Sequence, residues 1–344
     1  MLIKRDLEFE RALAEKLMSV DWTGLDTWDA AMLLNGAAKV WSSTESEEFG
    51  NILVNGLKKR AGVLTAAENA AEGGKELAEG LASGCDTGDL CNFMFGNACY
   101  AALDFTGDDV YAKAARKLAE QFDTQKRSKD GYFLNKEESA CICDTFCSQV
   151  FYMNYETRDG GKERYNDIIA QYNSVHEKLY PNAVSEKAYE PLSYYCAALI
   201  DTMEVMDQPL YEIYRKLQDY FKESVKAVLN MKYGADGNAE GAEGKAASGC
   251  KTECACGSSG SLAAYELIFA YAVFKGCRMK ALHTEKYEAS AEDLYNKLPD
   301  IKSVDFANED GATLAAACAY VYSEAVRNRE YQDYGRGKGG VLWS

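Results

Sequence analysis

Thr106-Gly107-Asp108-Asp109-Val110-Tyr111 ends one helical stretch and begins another. The polar turn breaks the first helix, the acidic pair suits the positive end of the second, and the aromatic pins the corner. Beyond it, Val110, Ala114, Leu118 and Phe122 form one apolar face of a helix over 108–123, while Lys113, Arg116, Lys117 and Glu120 stay polar. The same grammar recurs at Thr44-Glu45-Ser46-Glu47-Glu48-Phe49, Asp159-Gly160-Gly161-Lys162-Glu163-Arg164-Tyr165, Asp207-Gln208-Pro209-Leu210-Tyr211 and His283-Thr284-Glu285-Lys286-Tyr287. Each segment is the corner of one αα-hairpin. Their spacing is unequal, so the chain reads as an irregular array of hairpins and not as a strict solenoid.

Working outward from these corners, the periodicity predicts roughly twelve helices, near 5–19, 26–42, 46–61, 89–105, 108–123, 137–156, 161–179, 187–205, 208–231, 259–277, 284–298 and 310–328. No segment shows a strand's alternation. Pro is rare, with 4 in 344 residues, which suits long helices. Residues 62–87 and 233–258 read as long loops or insertions, the first with some helical character. Nothing reads as an interdomain linker, so one domain is expected over 1–344.

The formal net charge is −16, with no block of Lys or Arg, which excludes a nucleic-acid partner. No apolar run is long enough to span a membrane and the N-terminus lacks a signal core, so a cytoplasmic protein with no membrane partner is expected. The 12 cysteines read as reduced core residues in so large a chain. Self-association into a homo-oligomer is left open.

Candidate chemistry centres on Cys141-Ile142-Cys143-Asp144-Thr145-Phe146-Cys147-Ser148. On a helix starting near Glu137, Asp144 shares a mostly apolar face with Ala140, Cys141, Cys147, Ser148 and Phe151. A carboxyl buried there stays protonated and suits a general acid, or else it is a structural Asp bonded to a loop amide or a base. Neither Cys141-x-Cys143-x₃-Cys147 nor Cys250-x₃-Cys254-x-Cys256 has the paired spacing of structural zinc, so core packing is expected and no metal. With only His176 and His283, histidine triads and histidine metal sites are poorly supported, and carboxylates are the acid–base groups to expect. Gly257-Ser258-Ser259-Gly260-Ser261 lacks a phosphate-binding Lys and reads as a cap and turn, so no nucleotide cofactor is expected. Trp28-Asp29 and Asp89-Leu90-Cys91-Asn92 stand at helix starts, positions that line the mouth of a ring of hairpins.

Several further runs carry a family likeness. Asp130-Gly131-Tyr132-Phe133-Leu134-Asn135-Lys136 looks like a Gly-Gly-Phe-Trp-His-Lys motif, and Cys143-Asp144-Thr145-Phe146 with Tyr152-Met153 looks like Leu-Asp-Gly-Leu-Tyr-Met. Ser259-Gly260-Ser261, Phe269-Ala270-Tyr271-Ala272 with Lys275-Gly276, and the Gly-rich tail from Tyr334 follow in matching order. Together with the Thr106 corner, these make the chain from Trp28 onward resemble the unsaturated glucuronyl and rhamnogalacturonyl hydrolases, glycoside hydrolase families 88 and 105.

The resemblance implies an all-α, (α/α)6 barrel with a pocket at one end, no cofactor, and an oligosaccharide substrate. It implies that an Asp protonates the C4=C5 double bond of an unsaturated uronic acid, after which water adds at C5. Asp144 matches that Asp, Asp89 and Asn92 would orient water or a sugar hydroxyl, and Trp28, Tyr132 and Tyr194 would shape the sugar pocket. Asn135 and Glu190 fall at substrate-binding positions where the chain departs from the pattern. The motif's His falls at Leu134-Asn135, and a Trp-Ala-Arg-Gly-Asn-Gly-Trp stretch falls on Tyr189-Glu190-Pro191-Leu192-Ser193-Tyr194, without its Arg. The departures keep two alternatives open: a carbohydrate-binding barrel without turnover, and a barrel with glycosidase or epimerase chemistry on another sugar.

Overall fold

The computed structural model describes residues 4–63, 70–83, 86, 88–207, 210–234 and 261–335. Among them the regular elements are helices: α1 Lys4–Met18, α2 Thr27–Thr44, α3 Glu47–Ala61, α4 Ala70–Ala82, α5 Asn92–Thr106, α6 Asp109–Ala119 and α7 Asp144–Arg158. They continue as α8 Tyr165–Lys178, α9 Tyr180–Ser185, α10 Tyr189–Val205, α11 Tyr211–Tyr233, α12 Leu262–Arg278, α13 Thr284–Tyr295 and α14 Gly311–Gly335. An isolated antiparallel bridge joins Arg127 to Phe133.

The corners form for local reasons. At the end of α5, Gly107 takes a left-handed φ of 70°, open to a residue without Cβ, and its N–H returns to Leu103 O. One residue on, the Asp108 carboxylate caps α6 by accepting from Val110 N at 3.0 Å. Phe49, Tyr111, Tyr165 and Tyr287 are all buried, so four of the five corner aromatics pin their turns. Tyr211 does not: it is 70% exposed, because it lies off the face of α11 that Leu217, Phe221, Val225 and Val228 bury.

The chain divides into two compact units, residues 1–56 with 260–344, and residues 57–259. In the first, α14 packs on both α2 and α12, and α13 lies against α12. One buried carboxylate there is paired: the Arg278 guanidinium meets both oxygens of Glu324 at 2.8 and 2.9 Å. In the second, α6 packs on α4 and α5, α7 on α5 and α10, and α11 on α10. Its aromatic centre stacks Phe122 against Phe93 at 4.5 Å and Tyr152 at 4.2 Å between ring centroids.

Four expectations are corrected. The helix expected over 137–156 starts only at Asp144, because Asn135 draws the chain from 137 to 139 into a closed loop with Glu138 at a positive φ of 57°. Cys141 and Asp144 therefore do not share a helix face. The 62–87 stretch contains the full helix α4, and the helix expected over 108–123 tightens into a 3-10 turn from Glu120 to Asp123. Cys143 is disulfide-bonded, whereas all cysteines were expected to be reduced; Cys91, Cys99, Cys141, Cys147, Cys196, Cys277 and Cys318 are thiols. The Cys250, Cys254 and Cys256 cluster, residues 257–260, residues 208–209 and residues 336–340 lie outside the described residues.

Candidate active site

Asp144 is the first residue of α7 and is 4% exposed. Its Oδ2 accepts from Cys141 N at 2.7 Å and, at a long 3.5 Å, from the Asn135 side-chain amide. Its Oδ1 is buried and has no hydrogen-bond partner among the described residues. Burial pushes the carboxyl up from the ordinary 3.8 to about 7; the Cys141 N–H and the Asn135 amide pull it down, and the charge of Asp89 pushes it further up. Desolvation wins because only one oxygen is served by donors. Asp144 thus stays protonated far above the usual carboxylate range.

The start of α5 supplies the facing groups. Asp89 is buried, and its Oδ1 accepts from Cys91 N at 2.9 Å, fixing the turn that leads into the helix. Asn92 begins α5, is buried, and presents an Oδ1 with no partner among the described residues. The helix starts are held together where Cys91 Sγ lies 3.9 Å from Cys147 Sγ, in the first turn of α7.

Gln125 joins the two loops behind these groups. Its amide donates to Gly88 O at 3.0 Å and to Leu134 O at 2.7 Å, so one side chain bridges the segments that precede Asp89 and Asn135. Gln121 donates to Gln125 Oε1 at 2.8 Å and orients it. These two glutamines were not singled out from the sequence; their only signal there is an i, i+4 spacing at the end of a helix.

A cavity of about 350 Å³ opens here, with Asn92, Gln121, Gln125, Lys126, Asn135 and Lys136 in its wall. Its wall carries carboxamides as donors and acceptors, two cations and the Asp86 carboxylate. Lys136 pairs with Asp86 at 2.9 Å, and Lys126 pairs with Glu138. Asp144 adjoins the wall through Asn135.

The structure therefore brings Asp144, Asp89, Asn92 and Asn135 together. Of these, Asn92 and Asn135 line the cavity, whereas Asp144 and Asp89 are not in its wall, and neither are the other expected residues. Tyr132 and Glu190 are partly exposed but absent from its wall. Tyr194 is fully buried, its ring packed on Phe146 at 5.2 Å. Trp28 belongs to the first unit, is 3% exposed, and donates its indole N–H to Thr313 Oγ1 at 2.9 Å. Thr313 in turn donates to Asp29, which burial pushes up to about 6. Among the described residues no group of three or more His, Cys, Asp or Glu side chains is set to hold a metal ion. No helix among them is long and apolar enough to cross a membrane.

Solved structures match nearly the whole chain. A family 105 glycoside hydrolase from C. acetobutylicum ATCC 824 superposes with a TM-score of 0.66 at 16% identity, covering 92% of this chain and 98% of the other. A family 88 glycosyl hydrolase from Bacteroides vulgatus gives a TM-score of 0.63 at 12% identity, covering 94% and 99%. The chain has the fold of the family 88 and 105 glycoside hydrolases. A possible family 105 member from Salmonella enterica agrees, with a TM-score of 0.68 at 12% identity over 96% of each chain. This is the all-α, (α/α)6 barrel class that the hairpin corners and motifs anticipated. No family model matches the sequence, and no curated protein does.

Proposed function

We propose that this protein is a cytoplasmic glycoside hydrolase that hydrates the C4=C5 double bond of an unsaturated uronic acid at the end of an oligosaccharide. The observation that carries the reading is Asp144, a buried carboxyl pushed up to about 7, with one oxygen lacking a partner among the described residues and the other bonded to Asn135 of the cavity wall. Such a group donates a proton near neutral pH.

In the proposed reaction, protonated Asp144 transfers its proton to C4, leaving a carboxylate and positive charge at C5 shared with the ring oxygen. Water adds at C5 and returns one proton to Asp144. The hemiketal so formed opens and releases the next sugar, and the acid is regenerated. Asp89 and Asn92 flank this chemistry: the Asn92 carbonyl oxygen, which has no protein partner, would accept from the water or from a sugar hydroxyl. Lys136 lines the cavity in a pair with Asp86 and would have to leave that pair to meet the substrate carboxylate, a role for which the chain has no Arg at the family position.

The test is loss of the double bond's ultraviolet absorbance on incubation with a panel of unsaturated disaccharides. Decay that disappears in Asp144→Asn, with the fold intact by circular dichroism, supports the reading. Undiminished decay in that variant removes Asp144 from the chemistry, and no decay across the panel favours a barrel that binds sugar without turnover.

A further inference from the structure

The loop that precedes Asp144 is built around one side chain. Asn135 Oδ1 receives three donors: Glu137 N at 3.0 Å, Ser139 N at 3.2 Å and Ser139 Oγ at 3.1 Å. Two of these are backbone N–H groups, which can only donate, so the atom they meet must be the amide oxygen. The Asn135 main chain closes the same loop, with its N–H on Ser139 O at 2.9 Å and its C=O receiving Glu138 N at 2.9 Å. The side chain is therefore held at both ends of the loop and has no alternative orientation. Its NH₂ must face the other way, and the group it meets is Asp144 Oδ2.

Both donors that reach Asp144, Cys141 N–H and the Asn135 amide, fall on Oδ2. A carboxyl oxygen that accepts two N–H groups is a poor place for the proton. The other oxygen, Oδ1, has no partner among the described residues. We infer that Asn135 is a positioning residue: locked by the 137–139 backbone, its amide holds Asp144 Oδ2 as an acceptor, so that Oδ1 carries the transferable proton. This rests on the reading of Asp144 as the general acid but concerns which of its atoms acts and what decides it.

Position 135 therefore carries a chemical requirement. The residue at 135 needs an acceptor turned to the loop and a donor turned to the acid. A carboxamide meets both needs at once and carries no charge that would stabilise or repel the proton. A carboxylate at 135 would still satisfy the loop but would present an oxygen to Asp144 Oδ2. The charged groups near Asp144 are few: Asp89, which opposes its ionisation, is the one that bears on it most, and Lys136, next to Asn135 in the chain, is engaged by Asp86.

The experiment is nuclear magnetic resonance on the substrate-free, full-length protein, following the Asp144 carboxyl carbon and the Asn135 side-chain amide through a pH titration. In the wild type, both signals are expected to move with one shared midpoint. An Asn135 amide that stays still while Asp144 titrates overturns the inference. In Asn135→Asp, which keeps the loop's acceptor and replaces the donor by a like charge, the Asp144 midpoint is expected to rise by about one unit or more. An unchanged or lowered midpoint also overturns it, and the wild-type arm decides the matter if the variant does not fold. Neither arm uses substrate. Coupled titrations without turnover of any unsaturated sugar leave the positioning role standing and remove the proposed reaction; turnover without coupling does the reverse.

Discussion

Gly96 and Phe151 touch where α5 crosses α7: a Cβ at position 96 would lie 2.2 Å from two carbons of the Phe151 ring. No real Cβ contact is that short, and the ring has little room to withdraw, because it lies 5.4 Å from Phe122 and 6.0 Å from Tyr100 between centroids. The close crossing brings the start of α5, with Asn92, alongside the start of α7, with Asp144. Gly96→Ala is expected to cost about 1–3 kcal/mol, the range for overpacking a dense core. Urea denaturation measures this, and adding Phe151→Leu should recover part of the loss. A Gly96→Ala variant as stable as the parent would contradict the crossing.

The proposed reaction needs Asp144 in its protonated form. With the carboxyl pushed up to about 7, the active fraction is high in mild acid and falls as pH rises through that value. The kcat/KM profile on an unsaturated disaccharide should therefore decline about tenfold per pH unit on its alkaline side. A profile flat from mild acid to mild alkali would assign the proton to another group.

The same group links stability to pH. Its folded-state value lies above the 3.8 of an unburied Asp, so between 3.8 and about 7 the folded chain holds a proton that the unfolded chain releases. Its contribution to stability is complete below that window and is lost as pH rises through about 7. Asp144→Asn cannot ionise and escapes this loss. Thermal melts of the two proteins should show the variant gaining on the wild type as pH is raised across the window. A melting difference that ignores pH would mean that Asp144 is not protonated in the folded state.

Gln125 donates to two carbonyls on different loops, Gly88 O and Leu134 O. Gln125→Leu leaves both without that donor, at a cost of about 1–3 kcal/mol for an unsatisfied buried group. Loosening should concentrate in the segments around 88–92 and 134–139. Hydrogen exchange is expected to accelerate there and not in α10 or α11, and turnover should fall through kcat as the acid and its partners lose register. Uniformly unchanged exchange would show that the bridge carries no weight.

Much of this protein is legible along the chain. The corner at Thr106 to Tyr111 states its own structure, since Gly107 supplies the left-handed residue, Asp108 the cap, and the 3.6-residue pattern of α6 the buried face. Those are local properties, settled by neighbours within one turn of helix. Asp144 was also legible, as an acid in an apolar run, yet for a reason that the structure replaces: it sits at the helix start behind a loop, not along a helix face. Tyr211 and Tyr194 show the converse, since a residue type suited to a corner or a sugar surface says nothing of the side it will face.

What only the tertiary structure decided are the relations between distant segments. That Asn135 turns its amide to Asp144, that Gln125 bridges residues 88 and 134, and that Cys91 meets Cys147 each depend on chain separations that no local pattern encodes. The elevated acidity constant of Asp144 belongs to the same class, because desolvation is set by everything that packs around the carboxyl. The sequence by itself determined most of the helices and their corners; close packing of α5 on α7 decided that the Asp144 carboxyl is buried, which of its oxygens is served by donors, and which polar groups surround it.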